Sequence, residues 1–203
     1  AITKFAHYHF PGFDEAAEKI FQMGEPREHV KVVGLPGGDI KPDVTFTRSQ
    51  ICKKYKLCEE KPYILIIQHS VTQSQSEAEM QITETLKAVL SLKFPVLLAN
   101  PNDDAGGKII LSKMKEYAEK YEDLQILQPP KSRELFASIM AHAGVMVGNS
   151  SSGIVEAMSV QTPVVNIGDR QKGRESLAFL LNVDYQKEEI VEAIKKALND
   201  PDY

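Results

Sequence analysis

The sequence predicts a doubly wound α/β domain with a parallel sheet, and two observations support this fold class. Short apolar runs rich in β-branched residues alternate with segments whose apolar residues recur at helical spacing, from residue 63 to residue 199. The helical segments, at roughly 10 to 18 residues, are long enough to form right-handed crossovers between parallel strands.

Each element of this domain follows from its local pattern of apolar residues. Strands are predicted, in chain order, at 63–69, 95–102, 124–130, 145–149 and 163–168. Helices are predicted at 75–92, 108–121, 133–143, 152–159 and 188–199. The regular alternation predicts that each helix carries the chain back along the sheet, so that the strands are parallel and their carboxyl ends lie on the same side.

The first 45 residues form a separate pattern. Residues 4–10, 14–24 and 30–39 predict one strand–helix–strand unit, and the stretch GLPGGDIKPD is rich in the residues that favour linkers. We therefore assign residues 1–45 to the tail of an N-terminal α/β domain plus a linker, and residues 46–203 to a second domain. The chain starts without Met and inside a strand-like run, which predicts a piece of a longer protein.

Composition excludes several classes of function. The formal net charge of −4 and the lack of a Lys/Arg block disfavour a nucleic-acid-binding surface. No apolar run reaches the roughly 18 residues of a membrane helix, and no signal peptide is visible, so we expect a cytoplasmic protein. The two cysteines are too few for a zinc site or a disulfide framework, and we expect neither a metal nor a cofactor.

Polar stretches follow most of the predicted strands, and ligands of doubly wound domains gather at those carboxyl ends. The stretches are His69, 100–107, 129–131, 149–152 and 168–174. Each has a structural alternative: Asn, Asp and Gly favour any strand-to-helix turn, and the cations of GDRQKGRE would ordinarily form a solvated surface.

Three consecutive serines, Ser150 to Ser152, stand where a strand ends and a helix begins. A helix N-terminus carries free N–H groups and about half a positive charge, so this place suits a phosphate. Ordinary N-capping by serine explains the pattern equally well. Glu156 lies four residues after Ser152 rather than three, so it does not complete a capping box and its carboxylate is free to accept from a sugar diol.

Histidines offer two further candidates. His69 ends a strand at the predicted cleft, where its ordinary pKa range suits proton transfer or contact with a phosphate, although a lone histidine is more often structural. His7 and His9 form an H-x-H pattern in a strand-like run, and without a third ligand we interpret them as structural.

The motifs GNSSSGIVEAM, TPVVNIGDRQKGRE, IIQHSVT and NPNDDAGG together resemble the UDP-N-acetylglucosamine 2-epimerase family. They are most similar to its hydrolysing branch, which forms N-acetylmannosamine for sialic-acid-type sugars. The resemblance implies a glycosyltransferase-B-like fold, in which the nucleotide-sugar lies between two Rossmann-like domains. This chain would supply the C-terminal, nucleotide-binding domain of a cytoplasmic homo-oligomer.

The resemblance also implies roles for residues at the predicted strand ends. Ser150 and Ser151 would hold the diphosphate of UDP at the helix N-terminus, and Arg170 would neutralise phosphate charge. Glu156 would accept from the ribose hydroxyls.

The remaining implied contacts lie on three other loops. His69 would contact the diphosphate or the sugar and is a candidate to assist catalysis. Asn102 would line the pocket. The base would meet the backbone near Lys131, although QPPKSRE aligns with the family in two ways.

The chemistry that the resemblance implies is an elimination. A base removes the proton at C2 of UDP-N-acetylglucosamine while UDP leaves from C1, and water then adds to the 2-acetamidoglucal. The family's proposed catalytic carboxylates lie mostly in the other domain, so we expect this chain alone to be inactive. A non-hydrolysing epimerase, a glycosyltransferase of the same architecture and a non-catalytic nucleotide-sugar module remain alternatives, as does a GDP-linked or diacetamido sugar.

Overall fold

The computed structural model of the chain describes residues 2–34, 40–71, 76–128, 130, 132–171 and 180–200. The chain divides into two compact units, Ala1–Asp39 and Ile40–Tyr203. Among the described residues, no helix combines the length and the apolar character that crossing a membrane requires.

The second unit is built on a parallel sheet. Its strands are β1 Ile64–Ile67, β2 Val96–Ala99, β3 Leu124–Leu127, β4 Val145–Gly148, β5 Val164–Ile167 and β6 Leu180–Val183. The order across the sheet is β3-β2-β1-β4-β5-β6, and every neighbouring pair is parallel. The chain thus builds outward from β1 in one direction and then in the other, and the predicted doubly wound, Rossmann-like fold is confirmed.

Helices cover both faces of the sheet. The helices are α1 Asp14–Gln22, in the first unit, and α2 Arg48–Tyr55, α3 Ala78–Ser91, α4 Gly107–Lys120, α5 Arg133–Ala141, α6 Ser152–Ser159 and α7 Lys187–Asn199. Alternate residues of β1 enter two hydrophobic clusters, as the two-residue period of a strand requires. Ile64 and Ile66 pack with α3, α4 and α7, whereas Leu65 and Ile67 pack with α2, α5 and α6. Burying one such side chain contributes about 1.5–3 kcal/mol, so the central strands anchor the fold.

Two elements of the second unit were not predicted. The strand β6 lies at the edge of the sheet and only Leu180 of its residues is buried, so its apolar signal is weak. The helix α2 is mostly polar, and it begins with a capping box in which Gln50 N–H donates to Thr47 Oγ1 and Thr47 N–H donates to Gln50 Oε1. Local capping therefore defines a helix that hydrophobic periodicity misses.

The first unit differs from its prediction. The runs 4–10 and 30–39 were predicted as strands, but the described part of them contains a 3-10 helix at Ile2–Phe5 and one isolated parallel bridge between His9 and Val30. A parallel pair needs apolar cover on both faces, whereas Phe5 and Phe10 are 85% and 64% exposed in this unit. His9 itself is buried, and its Nε2 lies 3.3 Å from Glu25 Oε2.

The boundary between the units lies before the predicted one. Residues 40–45 were assigned to the N-terminal tail plus linker, whereas the structure groups them with the second unit. Ile40 is buried and its N–H donates to Ser159 Oγ at 3.2 Å. The N–H groups of Thr45 and Phe46 both donate to Ser138 Oγ at 3.0 Å. The composition of this segment suggests a linker, whereas its hydrogen bonds attach it to α5 and α6.

Candidate functional site

The candidate site lies at the carboxyl ends of β1 and β4, the point where the winding of the sheet reverses. Ile67 of β1 pairs with Gly148 of β4, so the residues that follow the two strands lie side by side. His69 N–H donates to Asn149 Oδ1 at 2.7 Å, and Asn149 Nδ2 donates to His69 O at 2.9 Å. We call this pair of hydrogen bonds the amide clamp. Ligands of doubly wound sheets bind at such a switch point.

The turn from β4 into α6 depends on Gly148. Its φ is +137°, and a Cβ there would lie 2.2 Å from Ile67 O. An L-residue side chain fits neither the backbone conformation nor the space. The glycine thus lets β4 approach β1 closely, and this approach delivers Asn149 and the serines to the switch point.

At the start of α6, Ser150 makes a capping hydrogen bond and Ser151 does not. Ser151 occupies the N-cap position with helical dihedral angles, and its side chain makes no capping hydrogen bond. Ser150 is buried and its Oγ accepts from Ser152 N–H at 3.3 Å. Capping therefore accounts for Ser150 but not for Ser151. The Ser151 hydroxyl is available to a ligand at the positive end of the helix.

Glu156 lies in the second turn of α6 and is partly exposed. Among the residues that the structure describes, its carboxylate has no hydrogen-bond or ion-pair partner, and only its main-chain oxygen is engaged, by Ser159 Oγ at 3.1 Å. A carboxylate without an internal partner can accept two hydrogen bonds from vicinal hydroxyls.

Two side chains that follow β5 converge on the start of α6. Arg170 Nη1 donates to Asn149 O at 3.1 Å, and Gln171 Nε2 donates to the same oxygen at 2.7 Å. Because Asn149 directly precedes Ser150, the Arg170 guanidinium lies at the helix N-terminus. The guanidinium and the helix dipole thus both favour an anion at this place. Lys172 and Arg174, the other cations of this motif, lie outside the described residues.

The surroundings of His69 determine which ring nitrogen holds the proton and whether the ring is charged. Its Nδ1 accepts from Asn102 N–H at 3.0 Å, so in the neutral ring the proton is on Nε2. Burial, and secondly the positive charge of Arg170, lower the pKa of His69 below its ordinary value, and Asp104 opposes them. At neutral pH the ring therefore offers Nε2–H as an uncharged donor.

The loop after β2 joins the site through Asn102. Ser70 Oγ donates to Ala105 O at 2.5 Å, which ties this loop to the segment after β1. The side-chain oxygens of Asn102 and Gln171 are buried and have no hydrogen-bond partner among the described residues. Unpaired buried acceptors are uncommon in proteins, and a donor from a water molecule or a ligand would satisfy them.

The predicted site residues thus lie at the carboxyl edge of the sheet. Asn149 contacts His69 and Arg170 directly, and Asn102 contacts His69. Lys131, predicted to meet the base, lies outside the described residues. The roles of all these residues stay predictions.

The sequence analysis assigned no role to three residues of the site: Asn149, Gln171 and Tyr185. Asn149 and Gln171 stand inside the quoted motifs, but a neutral amide carries no signal of its role. Tyr185, which follows β6, packs on Gly168, where a Cβ would lie 2.4 Å from Tyr185 Cε2. No local pattern connects these two positions.

The chain thus has a doubly wound, Rossmann-like α/β fold whose switch point combines a helix N-terminus, an arginine and a carboxylate without a partner among the described residues. The sequence model of the UDP-N-acetylglucosamine 2-epimerase family matches residues 1–203, and the chain belongs to this family.

Relatives of the chain are enzymes of this family. It is 35% identical over 202 residues to UDP-N,N'-diacetylbacillosamine 2-epimerase (hydrolyzing) of Legionella pneumophila, a match that covers 99% of this chain and 53% of the relative. It is 29% identical over 197 residues to UDP-N-acetylglucosamine 2-epimerase of Neisseria meningitidis, covering 97% and 52%. The chain thus spans about half the length of these relatives.

The fold also matches a solved structure. The crystal structure of UDP-GlcNAc 2-epimerase from Neisseria meningitidis bound to UDP-GlcNAc superimposes with a TM-score of 0.77 at 16% identity, over 99% of this chain and 56% of that chain. At this identity the likeness shows the fold.

Proposed function

We propose that this chain is the UDP-binding part of a hydrolysing UDP-N-acetylglucosamine 2-epimerase. One observation carries the proposal. At the start of α6 the Ser151 hydroxyl makes no capping hydrogen bond and Arg170 lies beside it, and one turn further on the Glu156 carboxylate has no partner among the described residues. Family membership and the hydrolysing relative of Legionella pneumophila support it.

The diphosphate would bind at the N-terminus of α6. Ser150 and Ser151 supply small donors, and Arg170 supplies the positive charge that a departing diphosphate needs. Glu156, one turn further along the same helix, accepts from the two ribose hydroxyls. The diphosphate and the ribose are neighbours along a nucleotide, and the helix N-terminus and Glu156 are likewise neighbours along α6.

His69 would assist the departure of UDP as a neutral donor. Its Nε2–H stabilises negative charge that develops on the diphosphate or on the glycosidic oxygen. The Nδ1 contact with Asn102 N–H disfavours a role as a base, because Nε2 already holds the proton. The base that removes the C2 proton belongs to the other part of the protein, so this chain by itself does not turn over the substrate.

After elimination, addition of water to the 2-acetamidoglucal gives N-acetylmannosamine and free UDP. A homo-oligomeric full-length protein is part of the same proposal. A glycosyltransferase would share the α6 features. Two assays on the full-length protein separate the reactions: one measures transfer to an acceptor sugar, and the other measures release of free sugar.

Calorimetric titration of UDP into this chain tests the nucleotide site. We expect the Arg170→Ala and Glu156→Ala variants to bind UDP at least about tenfold more weakly, because each loses a charge-assisted hydrogen bond of about 1.5–3 kcal/mol. Glu188→Ala is the matched control, since Glu188 is an exposed carboxylate in the first turn of α7.

GDP is the comparison ligand and should bind more weakly than UDP. Equal UDP affinity of Glu156→Ala and the unmodified chain would contradict the assignment of Glu156. Failure of both this chain and the full-length protein to bind UDP would contradict the proposed function itself.

A further inference from the structure

Asn149 is fully buried and connects the ends of three neighbouring strands. Its side chain forms the amide clamp with the main chain of His69 after β1, its own main chain continues β4, and its carbonyl oxygen accepts from Arg170 and Gln171 after β5. We propose that Asn149 is a positioning residue of the candidate site, which holds His69 as a donor and aligns it with the anion site at α6. This inference rests on the proposed function.

The hydrogen bonds of Asn149 use its polar groups fully. Oδ1 accepts from His69 N–H, and Nδ2 donates both to His69 O and, at 3.3 Å, to Tyr185 Oη. Its N–H donates to Ile67 O at 3.2 Å. An amide side chain presents an acceptor and a donor side by side to the N–H and C=O of one residue, so aspartate loses the donor half of the clamp and alanine loses both halves.

The clamp acts on the reactive end of His69 through the backbone. With its N–H and C=O both held, the main chain of His69 is fixed beside Asn149, and from this position the ring reaches Asn102 N–H, which donates to Nδ1. The proton is thereby kept on Nε2, which has no partner among the described residues. Loss of the clamp would release the ring from Asn102, whereas Arg170 would keep its acceptor, since that acceptor is a main-chain oxygen.

Ser138 provides a matched control within the same unit. It is also fully buried, and its Oγ accepts from the N–H groups of Thr45 and Phe46 and donates to Glu134 O at 2.7 Å. Like Asn149, it joins distant main-chain segments through one side chain. Among the described residues, its side chain makes no hydrogen bond with the residues of the candidate site, so Ser138→Ala measures what a purely structural loss does.

The experiment follows the imidazole of His69 by NMR titration, without ligand, in the chain and in Asn149→Ala and Ser138→Ala. The unmodified chain should show the Nε2–H tautomer and a His69 pKa below its ordinary value. In Asn149→Ala we expect a mixture of tautomers, a pKa nearer the ordinary value and UDP binding at least about tenfold weaker. In Ser138→Ala both quantities should stay within about twofold despite the loss of stability.

An unchanged His69 titration in Asn149→Ala would overturn the inference, as would an equal change in Ser138→Ala. If Asn149→Ala does not fold, Asn149→Asp takes its place, because it keeps an acceptor for His69 N–H and loses the donor to His69 O. A smaller loss of the Nε2–H tautomer is then expected, and an unchanged tautomer would overturn the inference. The NMR titration needs no ligand. Failure to bind UDP would therefore contradict the proposed function without affecting the test of Asn149.

Discussion

The helices α5 and α6 both follow a strand and both begin with serine, yet they use it differently. At α5 the N-cap Ser132 has extended dihedral angles and its Oγ accepts from Leu135 N–H at 3.2 Å. At α6 the N-cap Ser151 has helical dihedral angles and makes no side-chain cap. The first serine thus stabilises its own helix, whereas the second is left for another partner.

The arginines beside the two helix starts differ in the same way. Arg133 in the first turn of α5 forms an ion pair with Asp43, with Nε and Oδ2 2.6 Å apart. Arg170 beside α6 donates to the carbonyl oxygen of Asn149, and no carboxylate pairs with it among the described residues. Side chains that are paired within the chain at a helix start add stability, whereas an unpaired hydroxyl and an arginine without a carboxylate partner keep their binding capacity for a ligand.

Gly148→Ala is the strongest way to break the comparison, because the α6 turn depends on this glycine. The strained φ and the contact with Ile67 O together should lower the free energy of unfolding by about 3 kcal/mol. Urea unfolding measures this change. A variant as stable as the unmodified chain would show that the β4–α6 turn can relax without loss.

Ser151→Ala and Ser132→Ala sharpen the comparison. Ser132→Ala should lower the free energy of unfolding by about 1 kcal/mol and leave UDP affinity unchanged, since it removes a cap. Ser151→Ala should change stability by less than about 0.5 kcal/mol and weaken UDP binding about tenfold. Thermal unfolding and calorimetry on both variants decide this, and the reverse pattern would show that Ser151 is the capping residue.

The smallest effect expected is a pH dependence from His69 beside Arg170. Its pKa in the folded chain lies below the ordinary value of 6.5, so the unfolded state binds more protons once the pH falls below that value. The stability linked to neutral His69 is therefore intact above about pH 6.5 and is lost as the pH falls further.

The stability difference between the chain and His69→Gln isolates this contribution, because other titrating groups are common to both. Urea unfolding from about pH 7.5 down to about pH 5.5 should show the chain losing stability relative to the variant. A difference that stays constant over this range would contradict the lowered pKa.

Much of the fold followed from local pattern, and the exceptions have physical causes. The buried strands β1, β2 and β4 are continuous apolar runs, and β5 is interrupted only by Asn166, so all four were predicted, whereas the edge strand β6 was not. Residues 40–45 carry the composition of a linker, and only their hydrogen bonds to Ser138 and Ser159 attach them to the second unit.

By itself, the sequence determined that a helix starting at Ser152 follows a buried strand and that Glu156 cannot cap it, because both facts depend on residues close together in the chain. Only the tertiary structure decided that Asn149 holds His69, 80 residues away, and that Arg170 rather than a carboxylate faces the start of α6. Those contacts depend on the order of β1, β4 and β5 in the sheet. Hydrogen bonds between strand ends leave no pattern in the local sequence. Each partner is an ordinary polar residue, and only the folded sheet brings the two together.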